Sequence, residues 1–201
     1  TGQYPSGDIA NVESWDGSSW TEIADVNQAR ISMGKATSIA GNSLGLLFGG
    51  GPGGKNETES WNGSAWTELN NLNTGRRYIS GFGLSTSALG MGGETATAGS
   101  VNLVESWNGT SWTEVAEVNT GRQGGSAAGD TNVLGIYFGG GTNLLTEAWN
   151  GTAWTEVNDL AAAKNEGSGS GTSNAAFVVL GTVTEEWTVP SSINNVTVAS
   201  S

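Results

Sequence analysis

The chain has 201 residues, 33 of them glycine, 3 proline and 9 tryptophan, and its 7 Lys+Arg against 19 Asp+Glu give a formal net charge of −12. So acidic a chain cannot assemble the basic face that phosphate binding requires, which argues against nucleic acid and anionic membranes as partners. It has no histidine and no cysteine, so the commonest general base, the thiol nucleophile, the disulfide and the thiolate metal site are all excluded.

The tryptophan content points to a packed interior, and the glycine excess over a usual share of about 7% points to frequent turns. The longest apolar runs, residues 44–48 and 175–180, fall far short of the roughly 18 residues of a membrane helix, and no membrane insertion is expected. The chain begins at Thr1 rather than methionine, which suggests processing or a piece of something longer.

The first element is a hairpin, Glu13-Ser14-Trp15-Asp16-Gly17-Ser18-Ser19-Trp20-Thr21-Glu22. β-formers flank Asp16-Gly17, a dipeptide suited to positive φ in a tight turn. The unit returns at residues 59–68 around Asn62-Gly63, at 105–114 around Asn108-Gly109 and at 147–156 around Asn150-Gly151. A fifth copy, Glu185-Glu186-Trp187-Thr188, stops short. The leading tryptophans are spaced 46, 46, 42 and 38 residues apart, a period that suits four strands per unit.

Strand parity puts both tryptophans of a copy on one face. Trp15 with Trp20, Trp61 with Trp66, Trp107 with Trp112 and Trp149 with Trp154 are therefore read as structural pairs, and Trp187 as structural too. Between hairpins runs a second pattern. Asn27 to Arg30, Asn73 to Arg76, Asn119 to Arg122 and, in the last copy, Lys164 are followed by small residues and an apolar strand. That strand closes in glycines at 49–51, 92–93 and 139–141, with Leu180-Gly181 a weakened fourth.

An arginine opening the first strand, a di-glycine closing the second, an aromatic on the third and a tryptophan on the fourth resemble the kelch repeat of β-propellers. Departures are Trp61 where the family usually has tyrosine, a short gap from Trp61 to Trp66, and a last repeat without its second glycine and tryptophan. The stretch from Ser60 to Trp66 is also similar to a shortened Asp-box of sialidase-type propellers, with the acid kept only at Asp16.

The resemblance implies an all-β fold, a propeller of about four to five kelch-like blades with four antiparallel strands each. One propeller is expected over residues 1–190, with units at about 1–27 (partial), 28–72, 73–118, 119–160 and 161–189 (partial), and a tail or linker at 190–201. Counting strands gives two, then twelve in three full repeats, then three. Either the termini interlock to close a small ring, or the chain is an excerpt of a longer array. A β-solenoid or β-prism is the alternative architecture.

The repeated glutamates Glu13, Glu59, Glu105 and Glu147, with Glu22, Glu68, Glu114 and Glu156, resemble paired catalytic acids, but a residue present in every unit serves the scaffold. They are read as exposed or salt-bridged, with Arg30, Arg76, Arg122 and Lys164 as partners. Asn62, Asn108 and Asn150 fall in Asn-x-Ser/Thr sequons, as do Asn56 and Asn195, and for the first three the turn accounts for the asparagine. No metal or cofactor is called for. A hard cation such as calcium would draw on Asp130 and Asp159.

Residues that break the repeat are the candidate binding set: Arg77, Tyr78, Tyr137 and Glu94, beside Lys55-Asn56-Glu57 and the insert at 94–102. The Trp-Asn-Gly units resemble repeats of bacteriophage tail and fibre proteins and of secreted bacterial surface proteins. That implies a non-enzymatic structural or adhesion module on a virion or cell surface. Its partner would be a glycan or surface protein, and the module could belong to a larger chain or a homo-oligomer. The alternative is a polysaccharide-cleaving or sialidase-like glycoside hydrolase.

Overall fold

Short β-branched and aromatic runs broken by glycine turns form strands throughout, and no α-helix occurs among the described residues. The computed structural model describes residues 2–4, 7–37, 43–163, 167–180 and 183–188. Lys164, Gly181, Asn195 and the expected tail at 190–201 lie outside them.

A hairpin of β1 (Gly2–Tyr4) and β2 (Gly7–Ile9) precedes a second of β3 (Val12–Trp15) and β4 (Trp20–Ile23). Three four-stranded antiparallel sheets follow. Blade A is β5 (Gly34–Thr37), β6 (Gly45–Phe48), β7 (Thr58–Trp61) and β8 (Trp66–Leu69). Blade B is β9 (Ser80–Leu84), β10 (Ser87–Met91), β11 (Val104–Trp107) and β12 (Trp112–Glu114). Blade C is β13 (Ser126–Thr131), β14 (Leu134–Phe138), β15 (Thr146–Trp149) and β16 (Trp154–Val157). Blade D has three strands, β17 (Ser168–Gly171), β18 (Ala175–Leu180) and β19 (Val183–Thr188).

The hairpin β1–β2 has no counterpart in the strand count made from the repeats, because it carries none of their tryptophan or glycine signals. Nor do β3 and β4 complete blade D. The edge of β18 that β3 would need is taken by β19, with Ala176 opposite Trp187.

Each Trp-Asn-Gly unit closes through a four-residue loop, since the tryptophans themselves are the last cross-strand pair. The Asn62 Oδ1 accepts the backbone N–H groups of Ser64 and Ala65 at 2.9 Å, and Asn108 and Asn150 do the same for their loops. Gly63 follows at φ 96°, a conformation the absent Cβ permits. The four tryptophan pairs have ring centroids 5.2 to 5.4 Å apart.

Successive blades meet through their first strands, β5 against β9, β9 against β13 and β13 against β17. Phenylalanines of one blade fill space that glycines of the next leave open. A Cβ on Gly135 would fall 2.0 Å from the Phe82 Cζ, and one on Gly81 2.4 Å from the Phe48 Cζ. Three apolar clusters occupy the A/B, B/C and C/D junctions. Burial of the tryptophans follows their neighbours: Trp107 is 0% exposed at the A/B junction, whereas Trp15 and Trp20, whose face meets no blade, are 47% and 64% exposed.

Asp16 is the one acid in the four turns. Its carboxylate accepts the backbone N–H groups of Ser19 and Ser18 at 2.8 Å and both hydroxyls, and these bonds hold its pKa far below the ordinary 3.8. A folded-state pKa below the unfolded one gives stability that is complete above the unfolded value and fades as pH falls toward the folded one. The protection factors of amides in residues 12–23, measured against the intrinsic exchange rate at each pH, should therefore fall below about pH 4, while the asparagine turns at 62, 108 and 150 keep theirs.

Trp112→Ala should cost about 3–5 kcal/mol in urea unfolding, as large buried aromatics do. Trp20→Ala should stay within about 0.5 kcal/mol of the parent, as surface substitutions do.

Candidate functional site

The repeated charges do their work inside the blades. Arg76 is fully buried, and its Nη1 donates to the Gly92 carbonyl at 2.9 Å and the Leu103 carbonyl at 2.8 Å while Nη2 reaches the Glu105 Oε1 at 2.9 Å. The Glu105 Oε2 accepts the backbone N–H and the side-chain amide of Asn73 at 2.7 and 2.9 Å. Arg30, Glu59 and Asn27 repeat this clasp in blade A, and Arg122, Glu147 and Asn119 in blade C. The ion pairs that the sequence suggested thus exist, but their side chains are 0 to 2% exposed rather than solvated. Glu13, Glu22, Glu68, Glu114 and Glu156 are exposed.

The first strands β5, β9, β13 and β17 surround a central passage. Its two ends are cavities of about 300 Å³ each, joined by a narrower stretch of about 130 Å³ that shares lining residues with both. One end is lined by Ser32, Met33, Tyr78, Ile79, Gly124 and Gly125. The other carries Lys35 and Asp130.

At the first end the blades differ from one another. Ser32, Tyr78 and Gly124 hold equivalent positions two residues after the clasp arginines, with φ of 52°, 52° and 63°. The left-handed conformation thus belongs to the repeat, and Tyr78 is the bulky residue placed in it. Next to it, Arg77 exchanges backbone hydrogen bonds with Glu94 at 2.9 and 2.8 Å, and its Nη2 donates to the Glu94 Oε1 at 2.5 Å. That side-chain bond raises the Arg77 pKa. The guanidinium carbon stands 5.4 Å from the Tyr78 ring centre. The Arg77 and Glu94 side chains are 40% and 20% exposed.

Arg77, Tyr78 and Glu94 are therefore brought together, Tyr78 lining one end of the passage and the Arg77–Glu94 pair standing beside it, with the exposed insert at 96–100 next in the chain. Tyr137 is not. It is 0% exposed, its hydroxyl donates to the Arg122 carbonyl at 3.2 Å, and its ring lies 4.0 Å from the Arg122 guanidinium. Burial raises its pKa. It is a core residue, lodged where Gly92 and Gly125 leave room for the ring.

Lys55 reaches across to the Gln28 Oε1 at 3.0 Å. Asp159 accepts the Thr146 N–H at 3.2 Å and Asp130 is exposed. Among the described residues no three acids converge on a point. Ser32, Met33 and Lys35 line the passage without having been singled out from the sequence; the signal available was their place after Arg30, equivalent to that of Tyr78 after Arg76.

Glu105→Ala leaves the Arg76 guanidinium buried without its counter-charge and should destabilise by about 3–5 kcal/mol. Glu114→Ala, an exposed position on the outer strand of the same hairpin, should change stability by less than about 0.5 kcal/mol. Urea midpoints of the two variants check the contrast.

No protein-family model matches the chain, and no curated protein matches it either. Among solved structures, the one described as "Structure of YjhT" superposes with a TM-score of 0.66 at 10% sequence identity, covering 88% of this chain and 73% of that one. Similarity at that identity bears on the fold alone. Together with the four-stranded antiparallel sheets around a passage, it shows a β-propeller-like all-β fold.

Proposed function

We propose that the chain is a non-enzymatic, kelch-like structural or adhesion module, displayed on a virion or cell surface, that binds a glycan through Tyr78 at one end of the passage and the Arg77–Glu94 pair beside it. The observation that carries this reading is the departure from repeat symmetry at that end. Blades A and C place serine and glycine where Tyr78 stands, and isoleucine and glutamine where Arg77 stands. An aromatic face beside a planar cation and a carboxylate suits the apolar faces and hydroxyls of a sugar. The Arg77–Glu94 pair is partly exposed, and such pairs are worth about 0–1 kcal/mol, so hydroxyls can replace its bonds at little cost.

A glycan array followed by calorimetry tests the proposal. Tyr78→Ala should weaken binding roughly tenfold or more, the loss expected at a central aromatic contact, with melting little changed. The competing reading is a polysaccharide-cleaving or sialidase-like hydrolase, which needs two carboxyl groups flanking one bond. Turnover of sialosides or common polysaccharides that disappears in Glu94→Gln would establish that reading in place of the first.

A further inference from the structure

The A/B junction has a plug and a socket. Trp112, on the fourth strand of blade B, packs on Phe48 of blade A with ring centroids 4.7 Å apart, over its own pair partner Trp107. Its Nε1 donates to the Thr58 Oγ1 at 2.9 Å. Leu72 and Ala88 complete the apolar surround. Where the residue equivalent to Thr58 is a valine, Val12 or Val104, the next blade's indole takes a carbonyl instead: Trp66 donates to the Ala24 oxygen and Trp154 to the Ala116 oxygen.

The C/D junction repeats the socket without the plug. By register against the third-strand tryptophans, Phe138 stands for Phe48, Thr146 for Thr58, Ala176 for Ala88 and Trp187 for Trp107. Leu160 follows blade C as Leu72 follows blade A. These five residues line a cavity of about 200 Å³. Thr146 is 2% exposed, and its Oγ1 is a buried hydroxyl with no hydrogen-bond partner, the atom whose counterpart on Thr58 receives an indole. Residues 188–201 contain no tryptophan, tyrosine or phenylalanine.

The chain also carries a plug without a socket. Trp20 is the fourth-strand tryptophan of the β3–β4 hairpin and is 64% exposed. We propose that β4 of a second copy of this chain completes blade D as its fourth strand, lying along the edge of β19 that no described strand occupies, with Trp20 opposite Trp187 and its indole N–H on the Thr146 hydroxyl.

In this exchange β4 leaves β3, whose Glu-Ser-Trp faces it in its own chain, for β19, which offers Glu-Glu-Trp in the same register. Backbone hydrogen bonds are replaced one for one. The gain is burial of an exposed indole and satisfaction of a buried hydroxyl, with Trp187 taking the place of Trp15 beside Trp20; the Asn11–Glu22 hydrogen bond at the exposed hairpin is given up. The contact is head-to-tail, so it builds chains or closed rings rather than only two-fold dimers.

Sedimentation of the 201-residue chain over a range of concentrations tests this. The parent should self-associate reversibly, Trp20→Ala should stay monomeric and melt as the parent does when diluted to monomer, and Thr146→Val should weaken association by about 3–10-fold, the worth of one hydrogen bond. Ala176→Leu fills the socket and should also block assembly. Mixed with Trp20→Ala, it should give a heterodimer that grows no further, since each variant keeps one intact half of the contact. Should Ala176→Leu fail to fold, a synthetic peptide of residues 18–25 added to the parent should dissociate the assemblies. A parent chain that stays monomeric, or assembly that survives Trp20→Ala, overturns the proposal.

Discussion

The blades depend on a buried charge that cannot be left alone. Taking a guanidinium and a carboxylate out of water costs several kcal/mol per ion, and their attraction offsets this only when the remaining donors and acceptors are also satisfied. The clasp meets that condition. Arg76 donates to the carbonyl of the glycine that ends β10, to the carbonyl just before β11 and to Glu105, and Glu105 gives its other oxygen to Asn73. Desolvation lowers the Arg76 pKa and the Glu105 charge opposes that shift. One residue set therefore fixes the end of the second strand, the start of the third and the linker arriving from the previous blade. The ion pair earns little net stability of its own; its effect is geometric, because any displaced member strands a charge.

Among the described residues, fewer members of the clasp meet toward both ends of the chain. Glu13, with no described linker ahead of it, is exposed. In blade D the asparagine is replaced by Ala161, and among the described residues Glu185 accepts the backbone N–H groups of Ala161 and Ala162, at 2.7 and 3.0 Å. Apolar packing fades in parallel. Phe177 and Val179 on β18 are 45% and 39% exposed, whereas their register equivalents in blade A, Leu46 and Phe48, are 1% and 0% exposed. Interior blades are thus held from both sides, and the terminal sheets from one.

The period was legible in the sequence because the same local motif returns every 38 to 46 residues, and the hairpin turns and tryptophan pairs because each is set by residues within ten positions of one another. Burial was not. Glu13 and Glu59 sit in nearly the same local motif, yet one is exposed and the other is 0% exposed, because only the second has Arg30 and Asn27 brought to it from the preceding linker. Tyr78 and Tyr137 looked alike as residues without repeat equivalents. What separates them is the glycine opposite: Gly92 and Gly125 leave a slot for Tyr137, and the positive φ of Tyr78 turns it toward the passage instead.

A symmetric scaffold acquires a specific surface where the repeat can change without disturbing the clasp. The position right after each clasp arginine carries isoleucine, arginine or glutamine, and the next carries serine, tyrosine or glycine. Both precede the inner strand, and at Arg77 the backbone bridges to the insert at Glu94 while Arg76 keeps all of its bonds inward. Side chains there can be exchanged at the cost of surface contacts alone, whereas substitution one residue earlier strands a buried carboxylate. In this architecture, then, the positions free to vary lie one and two residues past the arginine that the fold requires, which is why Arg77 and Tyr78 can depart there from the residues of blades A and C.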